Sequence, residues 1–112
     1  MACRSKSTGC SKALAQFDVH RLAGGRGLAV DCQSNLLSHS DSRFVVPLVP
    51  KANAPQPGRR LNPVFPIEGQ DYVMLTQFAG AVDRRQLGKA VASISDRSFE
   101  ITDALHVLIS GV

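Results

Sequence analysis

Tryptophan is absent from this 112-residue chain, tyrosine occurs once and phenylalanine five times, so the interior has to be built mainly from aliphatic side chains. Cysteine is sparse as well. Cys3, Cys10 and Cys32 are an odd number without C-x-x-C spacing, and two of them lie in a polar leading stretch where a disulfide would staple nothing. That usage points to a reducing compartment, the cytosol. Three scattered histidines, His20, His39 and His106, complete no zinc pattern, so neither a metal nor a cofactor is expected. No apolar run approaches the roughly 18–20 residues of a membrane span. The leading MACRSKSTGCSKAL also lacks the apolar stretch of a signal peptide. A membrane partner is not expected.

What the chain does contain is ordinary for a globular domain: 44% hydrophobic and 20% charged residues, which argues against disorder throughout. Its length suits one domain. The formal net charge of +4 hints at nucleic acid, but its distribution argues otherwise. Setting aside Arg4, Lys6 and Lys12 leaves ten basic against nine acidic side chains. No basic stripe able to follow a phosphate backbone survives.

Residues 1–14 are small, polar and basic and are expected to be disordered, with the ordered domain spanning 15–112. Residues 16–22 alternate like a strand, with Phe17 and Val19 on one face and Gln16, Asp18 and His20 on the other. The turn Gly24-Gly25-Arg26-Gly27 leads to a second strand over 28–32, and the two fit a hairpin. A polar loop over 34–42 carries the apolar pair Leu36-Leu37. Residues 44–48 form a short apolar run whose Pro47 suggests an edge position or a strand end. Three prolines mark 50–60 as a loop. Runs 63–67 and 72–76 flank Glu68-Gly69-Gln70-Asp71 as a hairpin, and a weaker extended segment over 81–87 is closed by Gly88. The end differs: Phe99, Ile101, Leu105 and Leu108 recur at roughly helical spacing. A helix over 97–109 is predicted, with Ser95 or Asp96 as N-cap and Gly111 closing it. The outline is α+β and mainly β: five to six antiparallel strands followed by one C-terminal helix.

The search for chemistry returns little. Ser34, His39 and Asp41 have the residue types of a hydrolase triad but crowd one polar loop, where such residues are common. Cys32 beside His20 would make a nucleophile pair if the first strands adjoin, although a small buried thiol is the commoner fate of such a cysteine. Gly24–Gly27 lacks the Lys-Ser/Thr and following helix of a phosphate cradle. Arg59-Arg60 and Arg84-Arg85 suit RNA or an acidic partner, or plain solvent. No catalytic residue is assigned, and the chain is expected to grip another protein rather than to turn over a substrate.

Several stretches, taken in order, resemble the CcdB family of toxins from bacterial toxin–antitoxin modules. They are Gln16-Phe17, then Val30-Asp31-Cys32-Gln33-Ser34-Asn35-Leu36-Leu37, then Phe44-Val45-Val46-Pro47-Leu48, then Tyr72-Val73-Met74-Leu75-Thr76-Gln77, and the closing Gly111-Val112. The resemblance spans nearly all of 15–112. It implies a small antiparallel SH3-like β-barrel with a C-terminal helix, assembled as a symmetric homodimer. It further implies a non-enzymatic toxin that binds the A subunit of DNA gyrase and traps it on cleaved DNA. A cognate CcdA-like antitoxin would neutralise it, and the pair would repress its own operon, so DNA is met only through gyrase or the antitoxin.

Carried over position by position, the gyrase-facing residues implied are Gln16, Phe17, Ser34, Leu36, Leu37, His106, Ile109, Ser110, Gly111 and Val112. Ordinary packing is the competing account for each, above all for Phe17 and Ile109. Two departures stand out. Where the best-known branch ends in an aromatic pair before Gly-Ile, this chain has Ile109 and Ser110, and an interface anchor of that kind is worth on the order of 2 kcal/mol or more. Where the family usually has Val-Pro-Val, it has Val82-Asp83-Arg84. Family members begin just before the Gln-Phe pair, so Leu14 is expected to be a non-standard start and residues 1–13 to be untranslated. The rival readings are an mRNA-cleaving toxin on a similar barrel, for which Arg59, Arg60 and Asp83 are the only hints, and a decayed member that harms nothing.

Overall fold

The computed structural model describes residues 14–54, 58 and 60–111; the leading residues 1–13, residues 55–57, Arg59 and Val112 lie outside that set. Among the described residues seven strands form one antiparallel sheet curled into a half-barrel: β1 (Asp18–Leu22), β2 (Leu28–Asp31), β3 (Ser42–Pro50), β4 (Val64–Ile67), β5 (Gln70–Met74), β6 (Gly80–Asp83) and β7 (Leu87–Ser93). Six of them follow the order β4-β5-β3-β2-β1-β7, while β6 pairs with the first half of β3. One helix, α1 (Ser98–Ser110), follows β7. The expected mainly-β fold with a C-terminal helix is the one observed.

The alternation of β2 and β3 sets the core. Leu28 pairs with Leu48 and Val30 with Val46, and all four join Val19, Phe65, Ile67, Met74, Ile94, Ile101 and Ala104 in one cluster. On the other side of the sheet stand Ala29, Asp31, Arg43 and Val45, also buried. His20 pairs with Ala29 and shares that side. It lies on the face opposite Val19, as expected, and is buried there, with the ring Nδ1 3.0 Å from Gly88 O of β7.

Pro47 corrects an expectation. It sits inside β3, which is central. Its carbonyl accepts from Leu75 N–H at 2.9 Å, and in an antiparallel strand N and O of one residue face the same edge. On that edge β5 ends with Met74 opposite Leu48 and β6 starts with Gly80 opposite Val45, so the proline's lost donor falls in the gap between two partners.

The segment expected over 81–87 divides. Asp83 ends β6, and its carboxylate accepts from Arg85 N–H at 2.8 Å, turning the chain through Arg84–Gln86. Gly88 does not close a strand but lies within β7, where an added Cβ would stand 3.0 Å from Arg21 O. Glycine there permits the close approach of β1 and β7. The first strand likewise begins later than expected, since Gln16 and Phe17 lie in a turn before Asp18. Thr76 has left β5 and donates its hydroxyl to Leu61 O.

Helix α1 starts one residue later than expected. Ser95–Arg97 form a 3-10 turn, and neither Ser95 nor Asp96 caps α1; the N-cap position is Arg97. The inward stripe is Ile101, Ala104 and Leu105, spaced i, i+3, i+4. Phe99, two positions before Ile101 and so on nearly the opposite side, is 82% exposed. Gly111 closes the helix in the left-handed conformation (φ 79°), donating to Val107 O at 2.8 Å.

Ile67 and Gln70 pair directly, so the β4–β5 hairpin turns on two residues, Glu68 (φ 52°) and Gly69 (φ 79°). Both positive angles are those of a type I′ turn, which favours Asn at the first position. Glu68→Asn should therefore raise stability by about 0.5–1 kcal/mol, read from the urea midpoint. The exposed Arg21–Glu68 contact at 3.4 Å, lost in that variant, offsets little.

Candidate functional site

Between β2 and β3 the chain makes a single 3-10 turn, Asn35–Leu37, in the polar loop that carries the apolar pair. The Ser34 hydroxyl caps it by accepting from Leu36 N–H at 3.1 Å, and Leu37 N–H closes on Ser34 O at 2.9 Å. The result lifts Leu36 away from the protein, 94% exposed, with Leu37 at 56% beside it. An exposed leucine is unremarkable on a mobile loop. Here the turn is tied down from one flank and from below.

From one flank, Gln16 N–H donates to Asn35 Oδ1 at 2.8 Å, and the Gln16 side chain donates to Cys32 O at 3.0 Å. Phe17 follows with φ 71°, a strained angle for an aromatic residue. It is held by a backbone bond from its N–H to Asp31 O, another from Ile94 N–H to its own carbonyl, and burial of its ring. From below, Arg43 donates Nη1–H to Leu37 O at 2.8 Å and Nε–H to Asp31 Oδ2 at 2.9 Å. Its Nη2 makes an ionic contact of 2.7 Å with that oxygen, without hydrogen-bond alignment. Both side chains of this pair are fully buried. Asp31 Oδ1 accepts Gln33 N–H at 3.0 Å, and the Gln33 amide spans from Phe44 N–H to Leu37 O.

Gln16, Phe17, Ser34, Leu36 and Leu37 are thus brought together by the structure. The remaining expected residues gather at the far end of α1. His106 is exposed, and its carbonyl accepts the Ser110 hydroxyl at 2.7 Å, with the ring Nδ1 at 3.5 Å. Ile109 is 85% exposed rather than core, and Gly111 is exposed. Val112 lies outside the described residues. Phe17 packs in the same cluster as Ile101 and Ala104, which links the two groups through the interior. Asp31 and Asn35 belonged to the quoted motif without a role, and Arg43 went unassigned. The signal for Asp31 and Arg43 was a charge of opposite sign at the turn-side end of each of two apolar strands that pair.

The enzyme-like candidates come apart. Ser34 Oγ serves as a cap, while His39 and Asp41 use their carbonyls to hold Arg84. Cys32 joins the core with Val30, on the opposite side of the sheet from His20. Burial, and then the charge of Asp31, pushes its thiol up to about 12. At pH 8 Cys32 should alkylate about a thousandfold more slowly than an ordinary thiol. Mass mapping should show it catching up once urea unfolds the chain. Equal rates in native and unfolded protein would contradict its burial.

Of the basic pairs, Arg60, Arg84 and Arg85 are likewise engaged. Arg60 grips Asp103 of α1 with two bonds of 2.9 and 2.7 Å, holding that carboxyl below its ordinary range. Arg85 does the same for Asp83. A cleft of about 310 Å³ opens beside Ala29, Val45, Pro47 and Phe78. Its one charged lining residue, Arg26, already bonds Ala23 O and Gln86. It offers no acid–base pair. Among the described residues no group of three or more His, Cys, Asp or Glu side chains could hold a metal ion. None of their helices is long and apolar enough to cross a membrane.

Two comparisons bear on this arrangement. Residues 16–111 match the family model described as CcdB protein. Among solved structures, an endoribonuclease in complex with its cognate antitoxin from Mycobacterial species is similar at a TM-score of 0.68, with 16% identity. The match covers 87% of this chain and 95% of that one. At that identity the likeness speaks to the fold.

Proposed function

Because the chain belongs to the CcdB family, we propose that it is the toxin of a toxin–antitoxin module and that it acts by binding, without making or breaking a covalent bond. Its target in this reading is the A subunit of DNA gyrase, which it traps on cleaved DNA. Its neutralising partner is a cognate antitoxin. The observation that carries the reading is a leucine exposed almost completely on a turn that is fixed from the side and from below. A rigid apolar anchor is what a binding surface needs, since little conformational freedom is lost when a partner covers it. A second apolar group, Ile109, stands at the end of α1 beside Ser110 and Gly111. In a two-fold homodimer each patch is presented twice, which suits a two-fold symmetric enzyme.

Cutting mRNA is the competing activity, favoured by the fold shared with the endoribonuclease. Asp83, the hinted base, argues against it. The Arg85 bonds lower its carboxyl, whereas a base that takes a ribose proton works best near the operating pH. Induced expression in a gyrase-sensitive bacterium should stop growth and yield gyrase-linked broken DNA. Normal growth with verified expression would favour the decayed-member reading, and cleavage of purified RNA by the purified protein would favour the ribonuclease.

A further inference from the structure

The Asp31–Arg43 pair is fully buried in a chain of 112 residues, and its geometry has a direction. One carboxylate oxygen, Oδ1, receives the N–H of Gln33, where the chain enters the turn. The other, Oδ2, fixes Arg43, whose remaining arm reaches Leu37 O, where the chain leaves it. The two ends of the turn that displays Leu36 are therefore clasped by a single ion pair. Stability alone gives little reason for such a pair, because well-packed apolar residues of similar volume commonly do as well or better. Lysine cannot substitute, since one nitrogen cannot meet Asp31 and the Leu37 carbonyl in the two directions that the guanidinium fork spans. Both side chains are shielded from solvent, so a partner that covers Leu36 touches neither of them.

We propose that Asp31 and Arg43 are positioning residues: they hold the Leu36–Leu37 anchor in its binding conformation and thereby set affinity for the target from beneath the surface. The inference rests on the reading of this turn as the binding site. If breaking the clasp leaves the turn in its present shape for only about a tenth of the time, affinity falls about tenfold with no contact residue altered.

The test uses the full chain with the double substitution D31L/R43M, and the purified gyrase A subunit as probe. Two quantities are read: amide exchange of Leu37, Ser38 and Ser40 relative to Val30 and Val46, and affinity for gyrase A. A merely structural role would change turn and core amides together. The expected result is turn exchange about tenfold faster relative to the core, with gyrase A binding about tenfold weaker. Unchanged relative exchange, or unchanged affinity despite a loosened turn, would overturn the proposal. Should the double variant fail to fold, R43K is read in the same way, because it keeps a charge beside Asp31 while releasing Leu37 O. If the unaltered chain itself ignores gyrase A, the functional reading fails separately, and the exchange ratio still decides whether the clasp holds the turn.

Discussion

Arg43→Met alone should lower the free energy of unfolding by about 3–5 kcal/mol, which a urea titration would register as a large fall in midpoint. Arg43 neutralises an Asp31 carboxylate with no exposure to solvent, at 2.7 Å. Removing the cation strands that charge in the interior, with the Gln33 N–H left to answer it. Asp31→Leu should cost a comparable amount by stranding the guanidinium. The two changes should not add. Once neither charge remains, most of the loss should return, leaving D31L/R43M within about 1 kcal/mol of the unaltered chain. A cost under about 1 kcal/mol for Arg43→Met would mean that water reaches Asp31.

The second large effect concerns binding. Leu36→Asp should leave folding within about 0.5 kcal/mol, since the side chain touches almost nothing in the free protein. It should nonetheless weaken the gyrase A complex by about 2 kcal/mol or more, roughly thirtyfold, because a charge would be driven into an apolar contact. Deleting residues 110–112 should act in parallel: toxicity is lost, while circular dichroism still reports the helix and sheet. The deletion removes the Gly111 cap and the Ser110 bond to His106 O but no member of the core cluster. A truncated chain that still stops growth would show that the end of α1 is not part of the contact.

Much of this architecture is legible in the residues because local pattern and tertiary need agree. Alternation in Leu28-Ala29-Val30 and Val46-Pro47-Leu48, the turn at Glu68-Gly69 and the Gly111 cap all report their surroundings within a few positions. Where reading fails, the deciding contact lies far along the chain. The burial of His20 depends on β7, whose Gly88 meets its ring from 68 positions on. Pro47 looks like an edge marker because nothing nearby reveals that two strands share one side of β3. Leu87–Ser93 hides because Gly88 and Lys89 blur its alternation. Phe99 misleads for another reason: hydrophobicity alone cannot tell a core side chain from one on the outer side of a helix.

The candidate site divides along the same line. Ser34, Leu36 and Leu37 stand out as an apolar pair behind a capping serine, a local signature. The clasp beneath them does not, since Asp31 and Arg43 become partners only when β2 and β3 pair. Charged residues of opposite sign at the turn-side ends of two adjoining apolar strands are the pattern to look for.

Pro47 also governs how the strands can assemble. With no N–H at the junction, Pro47 offers its partners on that edge a carbonyl alone, which Leu75 N–H takes just beyond β5, while β6 starts opposite Val45. The residue acts as a stop in the zipper. Each partner strand can lengthen only until it meets that blank tooth, so β3 accepts two neighbours without either displacing the other.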